Sequence, residues 1–279
     1  MQYHYLRVFA LADERFPLLD LAMGGERPSR TEYLQSVFSQ RIDFLHRKAQ
    51  LVYIPIGREE RADGPVMLGR VGRSFQELVN EPPEQGFAET ELTTWRASNF
   101  LIDTGEHVDG QKIAMQARGD VGNPLAVITS LIRHLNEVNE EVGWILEISP
   151  MTEPGNFWSV VREYKGEITA AVFTFVTPNV LGLRSQLNAG LKAARQDNNA
   201  HRVGITLANE NGNLDLEKQN VEDAVEYVSE GGGTAKLKKG RKTVYDSEKD
   251  EKTVEIEDDE PIMLTKKSRW SDFVGRLFG

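Results

Sequence analysis

From Tyr3 to Leu11, aromatic and aliphatic residues alternate with others at the two-residue period of a half-buried strand. Pro28-Ser29-Arg30-Thr31 then supplies helix start signals. Tyr33, Leu34, Val37, Phe38, Ile42, Phe44 and Leu45 largely keep a 3.6-residue period, which predicts one helix through this stretch. Leu51 to Ile56 and Val66 to Val71 read as strands joined by a polar turn through Arg58, Glu59, Glu60, Asp63 and Gly64. Pro82, Pro83 and Gly86 mark a loop. Ser98 to Asp103 and Lys112 to Gln116 form a second hairpin-like pair across Gly105 and Gly110, followed by a helix from about Asn123 to Val138.

From Trp144 the rhythm changes to alternating elements. Ile145 to Ser149 reads as a strand, Glu153 to Tyr164 as a helix, and Glu167 to Thr177 as a long strand rich in Thr, Val and Phe. Pro178-Asn179 opens a helix to about Arg195, with Leu181, Leu183, Leu187 and Leu191 on or near its buried stripe. Arg202 to Ala208 is a strand ending at the turn Asn211-Gly212-Asn213, and Val221 to Val228 is a helix. Thr234 to Lys239 and Lys242 to Ser247 are strands about a Gly240-Arg241 turn, and Thr253 to Glu257 follows. The pattern predicts an α+β protein, with mixed sheets covered by helices on one face and two sub-domains. The expected parts are residues 1–142, residues 143–260 with the hairpin just described, and a tail over 261–279. No repeat with a period of 20 to 50 residues is present.

Composition narrows the function classes. With 279 residues and 39% apolar content the chain can bury one large core or two ordinary ones. No run approaches the ~18 apolar residues of a membrane span, and the first residues carry no leader pattern, which predicts a cytoplasmic location. The absence of cysteine excludes disulfides, thiolate nucleophiles and thiolate metal sites. His4, His46, His107, His134 and His201 include no pair spaced to put two ligands on one helix face. No cofactor or metal is therefore expected, although carboxylates alone can hold magnesium.

Charge supplies the sharpest signal. The net charge is -10, yet Lys236, Lys238, Lys239, Arg241 and Lys242 fall within seven residues, directly after Gly231, Gly232 and Gly233. In a strand Lys236 and Lys238 share one face and Leu237 takes the other, giving a short cationic rail with Arg241 and Lys242 at the turn. Such a cluster suits phosphates, which need charge and reach, better than base edges, so it predicts sequence-tolerant nucleic-acid binding. Two other readings stay open: a solvated hairpin whose lysines blunt an edge strand, and internal pairing with the acidic stretch from Asp246 to Glu260.

In the tail, Trp270, Phe273, Val274, Leu277 and Phe278 occupy one face of a helix, flanked by Lys266, Lys267, Arg269 and Arg276. That face suits a protein partner, a second copy of this chain, the chain's own domain, or a membrane surface. An enzyme reading rests on Glu163-Tyr164-Lys165, a Glu-x-Lys triplet that Asp120 or Glu147 could complete as a magnesium-dependent nuclease site. Such triplets arise by chance in a chain that is 27% charged, so an enzyme is the less favoured reading. Gly69-Arg70-Val71-Gly72 is half of a phosphate-binding glycine loop and lacks the following Lys and Ser/Thr. Asp109-Gly110 and Asn211-Gly212 are turn signals, His107 sits in a loop, His134 flanks a helix face, and Trp158 beside Phe157 reads as core.

The stretch Ala97-Ser-Asn-Phe-Leu-Ile-Asp-Thr-Gly with Asp109-Gly-Gln-Lys-Ile, and the later Asn209-Glu-Asn-Gly-Asn-Leu, resemble the RexA family of phage-exclusion proteins in their order of elements, over the C-terminal two thirds. The resemblance implies an intracellular antiphage protein that binds DNA without strong sequence preference, works as a dimer and signals to a membrane partner. It carries no individual residue over. The combined expectation is a non-catalytic sensor or adaptor that meets phosphates through the basic hairpin and a partner through the tail. The alternative from another class is a protein-binding subunit of a larger defence complex that touches no nucleic acid.

Overall fold

The computed structural model describes residues 1–13, 27–105, 111–177, 190–191, 193–194, 197–198, 200–257 and 267–278. Among these the fold is α+β, with two antiparallel sheets and five helices. The pairing between strands is antiparallel rather than mixed; a single parallel bridge joins Ile168 to Asn213.

The larger sheet holds β1 (Gln2–Ala12), β2 (Ile42–His46), β3 (Ala49–Glu59), β4 (Val66–Asn80), β5 (Glu89–Asp103), β6 (Gln111–Gln116), β7 (Trp144–Pro150) and β12 (Thr253–Glu255). Strand β1 is its hub. One edge of β1 pairs with β6, and the other pairs with β12 at its start and β7 at its end. Leu6, Val8, Val71, Phe100, Ile102 and Ile113 face α1 (Arg30–Phe38) and α2 (Pro124–Val138) in the main core. Both helices start on side-chain caps: Ser29 forms a reciprocal capping box with Glu32, and Asn123 accepts from the Ala126 N–H at 3.0 Å.

The single helix expected from Tyr33 to Leu45 is corrected. It stops at Phe38, and Ile42, Phe44 and Leu45 belong to β2. Ile42-x-Phe44-x-His46 also satisfies a two-residue period, and pairing with β3 decides between the two. β7, which the sequence boundary groups with the second part, pairs with β1 from Leu6–Pro150 to Ala12–Trp144.

The smaller sheet has the order β11 (Lys242–Asp246), β10 (Gly233–Lys239), β8 (Ala170–Val176), β9 (Arg202–Ala208). Ala171, Phe173, Phe175, Ala235 and Leu237 pack with α3 (Pro154–Glu163) and α4 (Gln219–Ser229) in a second core. The helix expected over 178–195 falls mostly outside the described residues, although Leu191 is in this core.

On the larger sheet's other face, α5 (Trp270–Phe278) covers Tyr3, Tyr5, Val66, Leu68 and Leu101. Strands β4 and β5 outrun their neighbours. β3 accompanies β4 only to Arg73, and β6 accompanies β5 only from Phe100. Ser74 to Asn80 and Glu89 to Trp95 therefore pair only with each other, as an arm roughly 24 Å long.

Candidate nucleic-acid interface

The basic hairpin is held from its inner face. Ala235 and Leu237 are fully buried in the second core, so Lys236 and Lys238 are turned to the face of the smaller sheet away from α3 and α4. Opposite them, Lys236 pairs with Asp246 and Lys238 with Thr243 across a register shift between Leu237 and Lys238. Gly240 turns the chain at a φ of +57°, a conformation open to glycine, and its N–H donates to Thr169 Oγ1 at 2.8 Å. The Thr169 N–H donates to the Lys238 carbonyl, also at 2.8 Å, which pins the hairpin tip to the start of β8.

The five cations separate into two groups, and this corrects the expectation of a uniform patch. Lys236 Nζ lies 2.7 Å from Glu248 Oε2 and 3.2 Å from Asp246 Oδ2. The hydrogen bond to Glu248 raises its pKa above the ordinary lysine value. Lys239 is ion-paired with Glu167, whose hydrogen bond likewise raises its pKa, and its ammonium sits 5.5 Å from the Tyr164 ring centre. These two are occupied by the chain's own carboxylates, two of which, Asp246 and Glu248, come from the acidic stretch flagged as a competitor. Lys238, Arg241 and Lys242 have no ion pair among the described residues, and Arg241 and Lys242 are exposed. The free charge is thus three cations at the hairpin tip.

The tail is a second correction. Trp270, Phe273, Val274 and Leu277 are buried in the chain's own core, and Phe278 is half-buried beside them. Phe273 meets Tyr3 edge-on at 5.8 Å, and the Tyr5 hydroxyl donates to the Leu277 carbonyl at 2.7 Å. The amphipathic helix forms as its spacing predicts, but the face offered to a partner is taken up by β1, β3, β4 and β5.

The nuclease constellation does not assemble. Glu163 ends α3, and Lys165 pairs with Glu217 at 3.7 Å. Asp120 is held by Arg118 at 2.8 Å, which lowers its pKa, and Glu147 pairs with Arg202. No three His, Asp or Glu side chains are placed to share a metal ion among the described residues. Gly69 lies in β4, where an added β-carbon would sit 2.3 Å from the Tyr53 ring, so the glycine answers to packing. Trp158 packs edge-on against Phe157 at 5.1 Å, as the core reading has it. His107, Asp109 and Lys266 lie outside the described residues.

The sequence reading missed the β4–β5 arm. Among the described residues no helix is long and apolar enough to cross a membrane. No family, no curated protein and no solved structure matches this chain.

Proposed function

We propose that this is a binding protein that takes hold of nucleic-acid phosphates, with little sequence preference, through Lys238, Arg241 and Lys242. The observation that carries the reading is the separation of the cluster. Lys236 and Lys239 are satisfied internally, while Lys238 in β10 and Arg241 and Lys242 at the anchored turn have no ion pair among the described residues. Three cations on a turn can follow a phosphate backbone, whereas reading base edges takes several bidentate side chains set against them, and of the three only Arg241 carries a bidentate head. The net charge of -10 opposes long-range attraction of DNA, so contact at the hairpin is local and sensitive to salt. The resemblance to the RexA family supplies the setting, exclusion of infecting phage.

A second reading, an acidic protein surface in place of nucleic acid, is favoured by one observation: this hairpin already accepts carboxylates at Lys236 and Lys239. Fluorescence anisotropy with labelled duplex and single-stranded DNA at low salt separates the two. The phosphate reading expects binding that disappears when Lys238, Arg241 and Lys242 are changed to Glu and persists in Lys239→Gln. Absence of DNA binding at micromolar protein, with retained binding to polyglutamate, would transfer the site to the second reading.

A further inference from the structure

Strand β9 is an open sheet edge. A continuous run of pairs, from Ala170–Ala208 to Val176–Arg202, joins it to β8, and among the described residues no strand lies on its other side. The Thr177 N–H donates to the His201 carbonyl at one end of this ladder and the Asn209 N–H to the Thr169 carbonyl at the other, which fixes its phase. Val203, Ile205 and Leu207 therefore exchange hydrogen bonds with β8, while Arg202, Gly204, Thr206 and Ala208 turn their N–H and C=O groups outward. These four residues are exposed, and no hydrogen bond among the described residues engages those backbone groups.

The other edges carry the devices that keep strands from pairing with foreign chain. β12 has three residues and β2 five. β11 has five and begins at Lys242. β7 is blocked at Leu146, where the Asn136 side chain accepts from the N–H at 2.8 Å and donates to the carbonyl at 2.9 Å. The edges of the β4–β5 arm carry Glu77, Glu91 and Arg96. β9 has seven residues, no register shift and no proline, and Val203 to Ala208 hold no charge. Its one charged residue, Arg202, is ion-paired with Glu147.

We infer that β9 is a docking edge for an extended segment of a protein partner, which adds a fifth strand to the smaller sheet. Four outward donors alternating with four acceptors match a second polypeptide backbone, whereas phosphates offer acceptors alone and would leave the carbonyls unpaired. Charge sets the partner's side chains. An ionised residue opposite Val203 to Ala208 would meet no counter-charge, so that stretch of the partner is uncharged. Ile205 is 38% exposed and lies in the row whose Val203 and Leu207 pack on the second core, so the partner residues opposite this row are apolar. Beyond Ala208, the exposed Glu210 has no ion pair among the described residues and matches a cation at the N-terminal end of an antiparallel partner. β9 and β11 are opposite edges of the sheet, so the inference stands apart from the hairpin's ligand.

Fluorescence anisotropy of the full chain with the labelled peptide Lys-Thr-Val-Thr-Val-Thr-Val-Thr tests it, the threonines being set to face Ala208, Thr206, Gly204 and Arg202. The expected result is saturable binding. N-methylation of the two central threonines removes N–H groups aimed at β9 and should raise the dissociation constant at least about tenfold. N-methylation of two valines, whose N–H groups point away, should change it less than about threefold. Thr206→Pro removes an outward N–H and no bond to β8, and should weaken binding at least about tenfold. Glu210→Lys should weaken this peptide and strengthen one that begins with Glu. Absence of saturable binding, equal losses in the two methylated peptides, or parental affinity in Thr206→Pro would each overturn the proposal. Self-association of the parent that Thr206→Pro abolishes would also overturn it, by giving the edge to a second copy.

Discussion

The indole of Trp270 occupies the space where a side chain on Gly57 would begin: a β-carbon there would lie 2.2 Å from Trp270 Cη2. The glycine in β3 is thus the socket that lets α5 close over the sheet, and burial of Trp270 follows from it. Gly57→Ala is expected to cost about 1–3 kcal/mol by overpacking. Trp270→Ala is expected to cost about 3–5 kcal/mol by emptying the site. Urea unfolding measures both. Midpoints equal to the parent's for both variants would mean that the tail is not seated there.

The glycines before the basic hairpin answer to the same kind of constraint. A β-carbon on Gly232 would stand 2.2 Å from the Tyr227 ring, and one on Gly233 would stand 2.0 Å from the Thr174 carbonyl oxygen. Both meet backbone, which cannot swing aside, but the approach is closer at Gly233 than at Gly232, where the nearest backbone atom is the Tyr227 carbonyl oxygen at 2.6 Å. Gly233→Ala should therefore lose more stability than Gly232→Ala, and both should fall by at least about 1 kcal/mol. Equal, negligible losses in the same denaturant assay would contradict the packing of β10 on β8.

Alkaline pH should release the tail's anchor. Burial pushes the Tyr5 phenol from its ordinary 10.0 up to about 12, so the fold favours the protonated form, and that hydroxyl donates to Leu277. The raised pKa places the contribution to stability below pH 10, and it is lost as pH rises from 10 through 12. Tyr33, also raised to about 12 by burial, adds to the fall. Denaturation midpoints at pH 9, 10 and 11 should decline in the parent and decline less steeply in Tyr5→Phe. Parallel declines would remove Tyr5 as a cause.

How much could be read from the residues follows from where each decision is made. The strands Tyr3–Leu11 and Arg202–Ala208, the helix after Asn123 and the amphipathic tail were legible because period and caps act locally. Ile42 to His46 was misread because its apolar spacing fits two periods and only β3 chooses between them. The arm escaped because its apolar residues, Phe75, Leu78, Leu92 and Trp95, are divided between its two faces and leave no clean alternation. Within the basic cluster, competition from Glu248 was legible from the acidic run nearby. The pairing of Lys239 with Glu167 was not, since it depends on β8 lying beside β10.

The salt dependence of DNA binding tests the central claim most directly. With three cations free and two internally paired, log Kd plotted against log salt for duplex DNA should have a slope of about 2.7, since each phosphate contact contributes about 0.9. Changing Lys238, Arg241 and Lys242 to Glu should remove the salt-dependent binding altogether. A slope near zero in the parent, or one unchanged in that triple variant, would contradict the assignment of the hairpin tip as the phosphate-binding site.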